Sequence, residues 1–312
     1  MRTILDYPIT AFSKTEEDFS IAYSIRMHKD PEQVEMLLRA IYAPQNVYCI
    51  YIDKKSSPEV HEAMHNLSQC FPNVFIASHL EPFYYATRSQ MEADLQCMRD
   101  LLHTSVPWKY YLNLAGQEFP LRSNREIVEM LTLMNGTNDI EVGKYVRGLR
   151  WRYLSRVIPD IEKGFRFDGQ KLDKLGLNVT LYKGSAYGAF SRKFVQFVLS
   201  DSRVQRLRHW LADTFAPEET FFATVNAMSG APGGYPVYVN QKAGEHISRV
   251  VLWKDTMYPP CQGVYVRGVC ILTSPDLKWL VQRPQMFANK FDVNVDRSAV
   301  QCLLHNILLR RN

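Results

Sequence analysis

The chain has 312 residues, of which 46% are hydrophobic and 22% charged, a composition typical of globular proteins with a sizeable core. The net charge of +5 is spread along the chain, which weakly favours a small anionic ligand and gives little support for nucleic-acid binding. The first twenty residues contain no apolar run long enough for a signal peptide or a membrane span.

The first 120 residues alternate between strand and helix patterns after a polar, unpatterned start. Strand patterns lie at 19–28, 46–53, 73–78 and 108–116, and helical patterns at 31–42, 57–71 and 90–102. This alternation predicts an α/β fold with a parallel sheet and helices on its faces. Residues 1–18 are expected to be a leader or stem, and 19–312 a single domain.

Ligands in such sheets bind beyond the carboxyl ends of the strands, which draws attention to Asp53 at the end of "CIYID". Asp53 is either a turn residue or a ligand contact. In the second half, Ser123 and Glu126 of "SNREIVEM" predict a helix with a capping box. The stretches "YKGSAYGAFSRKFVQFVL" and "DTFAPEETFFATVNAM" each predict a turn leading into a helix, and short strands follow in "RVVLWK" and "GVYVRGVCIL".

The sequence lacks the motifs of several common enzyme classes. It contains no G-x-x-x-x-G-K-[ST], G-x-G-x-x-G, G-x-S-x-G or C-x-x-C. The stretch "HEAMH" (61–65) has the spacing of H-E-x-x-H, and its two histidines are interpreted as solvated residues of an amphipathic helix. Acid–base catalysis and electrostatic stabilisation by charged side chains therefore remain as possible mechanisms. Glu218 and Glu219 begin a helix, and their spacing alone favours acids that complement the helix dipole. The alternative is that one of them is a general base at the lip of a pocket.

Specific stretches of the chain resemble one known family. They cover about residues 19–305 in order and read "LLRAIYAPQNVYCIYIDKKS", "CFPNVFIAS", "PWKYYLNLAGQEFPL", "GSAYGAFSRKFVQFVL", "DTFAPEE", "YPPCQGVYVRGVCI", "DLKWL" and "FANKFD". The family is the core 2 / I-branching β-1,6-N-acetylglucosaminyltransferases, Golgi enzymes of glycosyltransferase family 14. The resemblance implies a GT-A fold with a mostly parallel central sheet. It also implies inverting, metal-independent transfer of GlcNAc from UDP-GlcNAc to the 6-hydroxyl of an O-glycan sugar.

The resemblance also implies a donor site. Most GT-A enzymes hold a metal ion with Asp-x-Asp, and this sequence contains none. Positive charge at the departing diphosphate would come instead from Arg267 and Lys290, which match the family's arginine and lysine. Asp53 and Tyr85 match positions near the nucleotide. Glu219 matches the family's catalytic base, and Glu218 is expected on the turn, where it would help to satisfy free N–H groups.

The acceptor contacts that the resemblance implies are Glu141, Arg147, Arg150 and Trp253. An indole offers an apolar platform to a sugar face, and polar side chains fix the hydroxyls. The chain departs from the family pattern at "APEE" and at "TRSQ" (87–90). An alternative is therefore a family member that has lost transfer and binds glycans or a protein partner. Another is transfer of a different donor sugar, since relatives in the family transfer xylose.

The six cysteines match the family only in part. The resemblance implies disulfides Cys49–Cys97 and Cys261–Cys270, and it implies that the partners of Cys70 and Cys302 precede this chain. The sequons lie at Asn66, Asn135 and Asn178, and the first and last are predicted to carry N-glycans.

The partners implied by the resemblance are a nucleotide-sugar donor and a glycoprotein or oligosaccharide acceptor, with no cofactor, no metal and no nucleic acid. The catalytic domain would be lumenal and held at the Golgi membrane by an N-terminal anchor absent from this chain.

Overall fold

The computed structural model describes residues 7–144, 147–235, 246–254 and 260–311. The strands are β1 (Ile21–Met27), β2 (Val47–Ile52), β3 (Val74–Ile76), β4 (Tyr110–Ala115), β5 (Glu118–Pro120), β6 (Asp139–Lys144), β7 (Ser155–Asp160), β8 (Gly164–Gln170), β9 (Tyr182–Ser191), β10 (Arg249–Val251), β11 (Val264–Val266), β12 (Val269–Ile271) and β13 (Phe287–Asn289). The helices are α1 (Lys14–Glu17), α2 (Pro31–Ile41), α3 (Pro58–Gln69), α4 (Ser89–Leu102), α5 (Asn124–Met134), α6 (Trp151–Leu154), α7 (Arg192–Ser200), α8 (Ser202–Leu211), α9 (Glu218–Asn226), α10 (Leu277–Leu280) and α11 (Val293–Leu309).

A six-stranded sheet forms the centre of the fold, in the order β3-β2-β1-β4-β9-β6. Strands β3, β2, β1 and β4 run parallel to one another, and β9 runs antiparallel to both β4 and β6. Every residue of β1 and β2 is buried, as expected when helices cover both faces of a parallel sheet. The predicted α/β class with a mostly parallel sheet is confirmed.

Two hydrophobic cores lie on opposite faces of this sheet. Alternate residues of β1 and β2 point to opposite sides, so that Ile25 and Ile50 join the core under α2, α3 and α11, whereas Ala22 joins the core under α4, α7 and α9. A second sheet, β10-β13-β5, lies beside the carboxyl end of the first. The site described below is formed where these two sheets meet the two hairpins β7-β8 and β11-β12.

Residues 7–18 pack on the domain, which differs from the leader expected at 1–18. Tyr7 is 4% exposed, and its ring centroid lies 4.6 Å from that of Phe71. Glu16 is buried and accepts a hydrogen bond of 2.7 Å from Asn124 Nδ2 on α5. The segment has too few apolar residues to show a periodic pattern, and it is held by these individual contacts.

The β11-β12 hairpin confirms one predicted disulfide. Cys261 and Cys270 are bonded, with their Cα atoms 5.8 Å apart. The turn of the hairpin consists of Arg267 and Gly268, whose φ angles are 54° and 79°. Positive φ at both central residues is the geometry of a type I′ hairpin turn. Arg267 therefore lies at the tip of the hairpin, in a backbone conformation that disfavours a side chain.

The disulfide predicted between Cys49 and Cys97 is not formed in the structure. The two sulfur atoms lie 2.6 Å apart as unbonded thiols, one on β2 and the other on α4. Both residues are completely buried, and burial raises the pKa of each thiol. A protonated, inaccessible thiol reacts slowly in disulfide exchange, because the thiolate is the reactive form. The predicted proximity is confirmed, and the bond itself stays a prediction.

The surface positions singled out in the sequence are accessible. Asn66 is exposed on α3, and Asn178 is exposed between β8 and β9. Cys302 is exposed on α11, whereas Cys70 is half-buried and donates a hydrogen bond to the carbonyl oxygen of Asn66 at 3.3 Å. Glycosylation of the two asparagines stays a prediction.

Candidate active site

A cavity of about 680 Å³ opens at the carboxyl ends of β1 and β4. One side is lined by residues that follow these strands, and the other by β10, β13 and the tip of the β11-β12 hairpin. Parallel sheets bind ligands at this edge, and the volume is within the range of small-molecule sites. Most of the residues that the sequence predicted for a site line this cavity.

One end of the cavity carries two predicted cations. Arg267 and Lys290 both line it, and the Arg267 guanidinium lies 4.2 Å from the ring centroid of Tyr85, a predicted donor contact. Lys290 Nζ donates to the carbonyl oxygen of Val266 at 3.4 Å. Burial and the charge of Arg267 lower the pKa of Lys290. An anion that binds near both cations offsets their repulsion and stabilises the charged form of Lys290.

Asp53 lies behind the wall of the cavity and does not line it. Its Oδ1 atom accepts hydrogen bonds of 3.0 Å from the backbone N–H groups of Lys55 and Phe83, and the residue is 7% exposed. Because Phe83 lines the cavity, Asp53 fixes the loop that forms the wall. The structure therefore supports a positioning role for Asp53, and direct contact with the donor stays a prediction.

The predicted base, Glu219, lies in the first turn of α9 and lines the cavity. Its Oε2 atom forms ion pairs with Nη2 of Arg152 and, at 3.3 Å, with Nζ of Lys183. Both contacts are to the same oxygen, and none of the described residues donates a hydrogen bond to Oε1. The side chain is 21% exposed and lines the cavity.

Glu218 is the first residue of α9, and its expected role toward free N–H groups stays a prediction. It is 4% exposed and lines the same cavity as Glu219. Burial and the neighbouring charge of Glu219 raise the pKa of Glu218 to about 7. Both side chains therefore line the cavity, and the assignment of the base to Glu219 stays a prediction. The preceding Ala216, with φ of 44°, turns the chain so that the start of α9 enters the cavity wall.

The predicted acceptor contacts divide into two groups. Glu141 and Trp253 line the cavity, and Trp253 is 46% exposed. Arg147 and Arg150 are exposed and do not line it, whereas Arg152 does. Arg150 is the N-cap of α6, and each step along a helix rotates the side chain by about 100°. That rotation brings Arg152, two positions on, to the cavity in place of Arg150.

Sequence reasoning missed the floor of the cavity. Tyr187 lies between two buried guanidinium groups, 5.1 Å from Arg26 and 5.5 Å from Arg249. Arg249 is 1% exposed, and its Nε lies 2.6 Å from Glu118 Oε2. The signal in the sequence was an arginine inside an apolar strand, in "SIRMH" and again in "SRVVL". A charge in a buried strand needs a partner or a function.

The described ranges contain no group of three His, Cys, Asp or Glu side chains placed to hold a metal ion. Within those same ranges, no helix has the length and apolarity needed to cross a membrane.

A cavity at the carboxyl edge of a mostly parallel sheet, with cations at one end and carboxylates in its wall, agrees with the GT-A fold that the resemblance implies. The family model described as "Core-2/I-Branching enzyme" matches residues 21–281. The chain therefore belongs to the Core-2/I-Branching enzyme family, as its sequence predicted.

Curated relatives agree with this assignment. The chain is 41% identical over 314 residues to human "Beta-1,3-galactosyl-O-glycosyl-glycoprotein beta-1,6-N-acetylglucosaminyltransferase 3", covering 97% of this chain and 70% of that protein. A human protein with the same name but no number is 40% identical, over 95% of this chain and 72% of its own length. A protein from bovine herpesvirus 4, also named as a transferase of this type, is 40% identical, with 97% and 70% covered.

Proposed function

We propose that this protein transfers GlcNAc from UDP-GlcNAc to the 6-hydroxyl of an O-glycan sugar, with inversion and without a metal ion. The names of its curated relatives support the reaction class. The observation that carries the proposal is the composition of one cavity, which holds Arg267 and Lys290 together with Glu219. These are the groups needed for a leaving diphosphate and for an attacking hydroxyl.

In this mechanism the diphosphate lies between Arg267 and Lys290. The bond from the anomeric carbon to UDP breaks as negative charge develops on the leaving phosphate oxygen. Two cations held in place by Tyr85 and by the carbonyl oxygen of Val266 stabilise that charge without reorganising. A metal ion would supply the same stabilisation in an enzyme that has Asp-x-Asp, and this chain has no such motif.

Glu219 acts as the general base. As the acceptor oxygen attacks the anomeric carbon from the face opposite UDP, its proton passes to Glu219 Oε1. Arg152 and Lys183 hold the other oxygen, Oε2, and so orient the carboxylate. A single carboxylate is sufficient for inversion, because the nucleophile is the acceptor hydroxyl and the leaving group is already stabilised. Trp253 and Glu141 line the acceptor side of the cavity.

The proposal also places this domain in the lumen of the Golgi. The Cys261–Cys270 disulfide supports an oxidising compartment. The exposed sequons at Asn66 and Asn178 are compatible with passage through the secretory pathway.

The matched pair Glu219→Gln and Glu218→Gln tests the assignment of the base. Each change keeps the shape of the side chain and removes its basicity. We expect Glu219→Gln to lower the rate of transfer by roughly 10²–10⁴-fold and to retain UDP-GlcNAc binding, measured by calorimetry. Glu218→Gln should lose far less rate, because its amide oxygen can still accept a hydrogen bond.

If the larger loss follows Glu218→Gln instead, Glu218 is the base and the assignment of Glu219 is wrong. If the wild-type protein binds UDP-GlcNAc or glycan and transfers nothing to any acceptor, it is a binding protein and the proposed mechanism fails.

A further inference from the structure

Two buried residues that line the cavity, one basic and one acidic, each carry a side-chain atom with no hydrogen-bond partner among the described residues. The two atoms are Nη2 of Arg26 and Oε2 of Glu218. Arg26 is 6% exposed and Glu218 is 4% exposed, and both residues line the cavity. Buried polar side-chain atoms in folded proteins nearly always have a partner, so an unpartnered pair at a ligand cavity calls for an explanation.

Arg26 is held in place by its other atoms. Nη1 donates to the carbonyl oxygen of Gln90 at 3.1 Å, and Nε lies 3.3 Å from Asp94 Oδ1. Asp94 also accepts a hydrogen bond of 2.9 Å from Asn113, so the ion pair is part of a fixed network. The guanidinium therefore cannot turn to satisfy Nη2 without breaking these contacts. Nη2 is therefore left without a partner among the described residues.

Glu218 is the acceptor that complements this donor. Both side chains line the same cavity, and their opposite charges attract. The ring of Tyr187 lies beside Arg26 and also lines the cavity. The three groups together present one donor, one acceptor and one aromatic ring, which is the combination that proteins use for sugars.

We propose that Arg26 and Glu218 form a sugar-binding subsite, in which Nη2 donates to and Oε2 accepts from one polar edge of a bound substrate sugar. The complementary edge is a hydroxyl group or an acetamido group, since each offers both a donor and an acceptor. The nature of the ligand as a sugar rests on the proposed function. Because Glu218 precedes Glu219, this subsite would fix a group close to the reacting centre.

The main test compares Glu218→Leu with wild type. Leucine is similar in size and cannot accept a hydrogen bond, and the ion pair of Arg26 with Asp94 is left intact. Binding of UDP-GlcNAc and of a β-1,3-galactosyl O-glycan disaccharide is measured by calorimetry, with thermal unfolding in parallel. Glu62→Leu, at an exposed position on α3, is the matched control.

We expect Glu218→Leu to unfold at a higher temperature than wild type and to bind one of the two natural substrates roughly 10- to 100-fold more weakly. A buried acceptor that costs folding stability and is needed for binding gives this combination, which a purely structural residue does not. Glu62→Leu should leave substrate binding unchanged.

Substrate analogues identify the contacted group. UDP-glucose lacks the acetamido group, and monodeoxy disaccharides each lack one hydroxyl. The analogue that lacks the contacted group should bind wild type and Glu218→Leu equally, because the partner is missing in both complexes. The inference is overturned if Glu218→Leu binds both natural substrates as wild type does, or if it loses the same factor with every analogue.

These outcomes separate the subsite from the reaction. If wild type transfers GlcNAc and Glu218→Leu binds normally, only the subsite is wrong. If wild type binds neither substrate, the proposed function fails and this inference fails with it.

Discussion

The burial of Glu218 makes a specific prediction about stability and pH. The carboxyl group lies in the cavity wall with one oxygen that accepts no hydrogen bond from any described residue. Burial and the charge of Glu219 raise the pKa of Glu218 from 4.5 to about 7 in the folded protein. Replacing Glu218 with glutamine keeps the shape and removes the ionisation, so the variant isolates the cost of that charge.

The sign follows from the direction of the pKa shift. Between the two pKa values the unfolded chain has lost the proton and the folded protein still binds it, so the stability of wild type falls as pH rises through this window. The full difference, from 4.5 to about 7, corresponds to about 3 kcal/mol. Of this, about 2.5 kcal/mol should be lost between about pH 5 and pH 8. Glu218→Gln should not lose this part of its free energy of unfolding, because its side chain does not ionise.

The assay is urea unfolding of wild type, Glu218→Gln and the exposed control Glu62→Gln at about pH 5 and pH 8. The free energy of unfolding of Glu218→Gln should rise relative to wild type by about 2.5 kcal/mol between the two pH values. Groups that do not interact with Glu218 titrate equally in both proteins and cancel in this comparison. A constant difference between the proteins, or a difference that shrinks as pH rises, would refute the reasoning about Glu218.

The remaining predictions concern charge, cysteines and glycans. Arg267→Ala should lower the rate of transfer by about 10²-fold or more, the scale for one preorganised electrostatic contact, whereas the exposed control Arg125→Ala should not; equal rates for both would contradict the role of Arg267. Peptide mapping under non-reducing conditions should recover Cys261 joined to Cys270, and recovery of both as free thiols would be the contrary result. The secreted protein should lose mass on enzymatic removal of N-glycans, and changing both Asn66 and Asn178 to glutamine should abolish that loss; an unchanged mass in wild type would contradict the glycosylation prediction.

The sheet and its helices could be predicted because their signals are periodic. Every residue of β1 and β2 is buried. The helix between them, α2, repeats apolar residues at helical spacing. The capping box of Ser123 and Glu126 is present as predicted, since it depends only on residues three apart. Residues 7–18 had no such pattern, because Tyr7 and Glu16 are held by single long-range contacts.

The site was predicted less completely, because its geometry depends on packing between distant elements. Arg150 and Arg152 differ by two positions, and only the rotation at the start of α6 decides that Arg152 reaches the cavity. The burial of Glu218 depends on the turn at Ala216. Arg26 was overlooked because its partner, Asp94, lies on a separate helix. Arg267 and Lys290 were predicted from the family resemblance, and both line the cavity.

The central claim is that this cavity transfers GlcNAc to a 6-hydroxyl without a metal ion. The most direct measurement incubates the purified protein with UDP-GlcNAc and a β-1,3-galactosyl O-glycan acceptor in excess EDTA, and determines the linkage in the product. The account predicts a β-1,6-linked GlcNAc product, formed at the same rate with and without EDTA. Loss of activity in EDTA that Mn²⁺ restores would contradict the role given to Arg267 and Lys290, and a product with another linkage or anomeric configuration would contradict the proposed reaction.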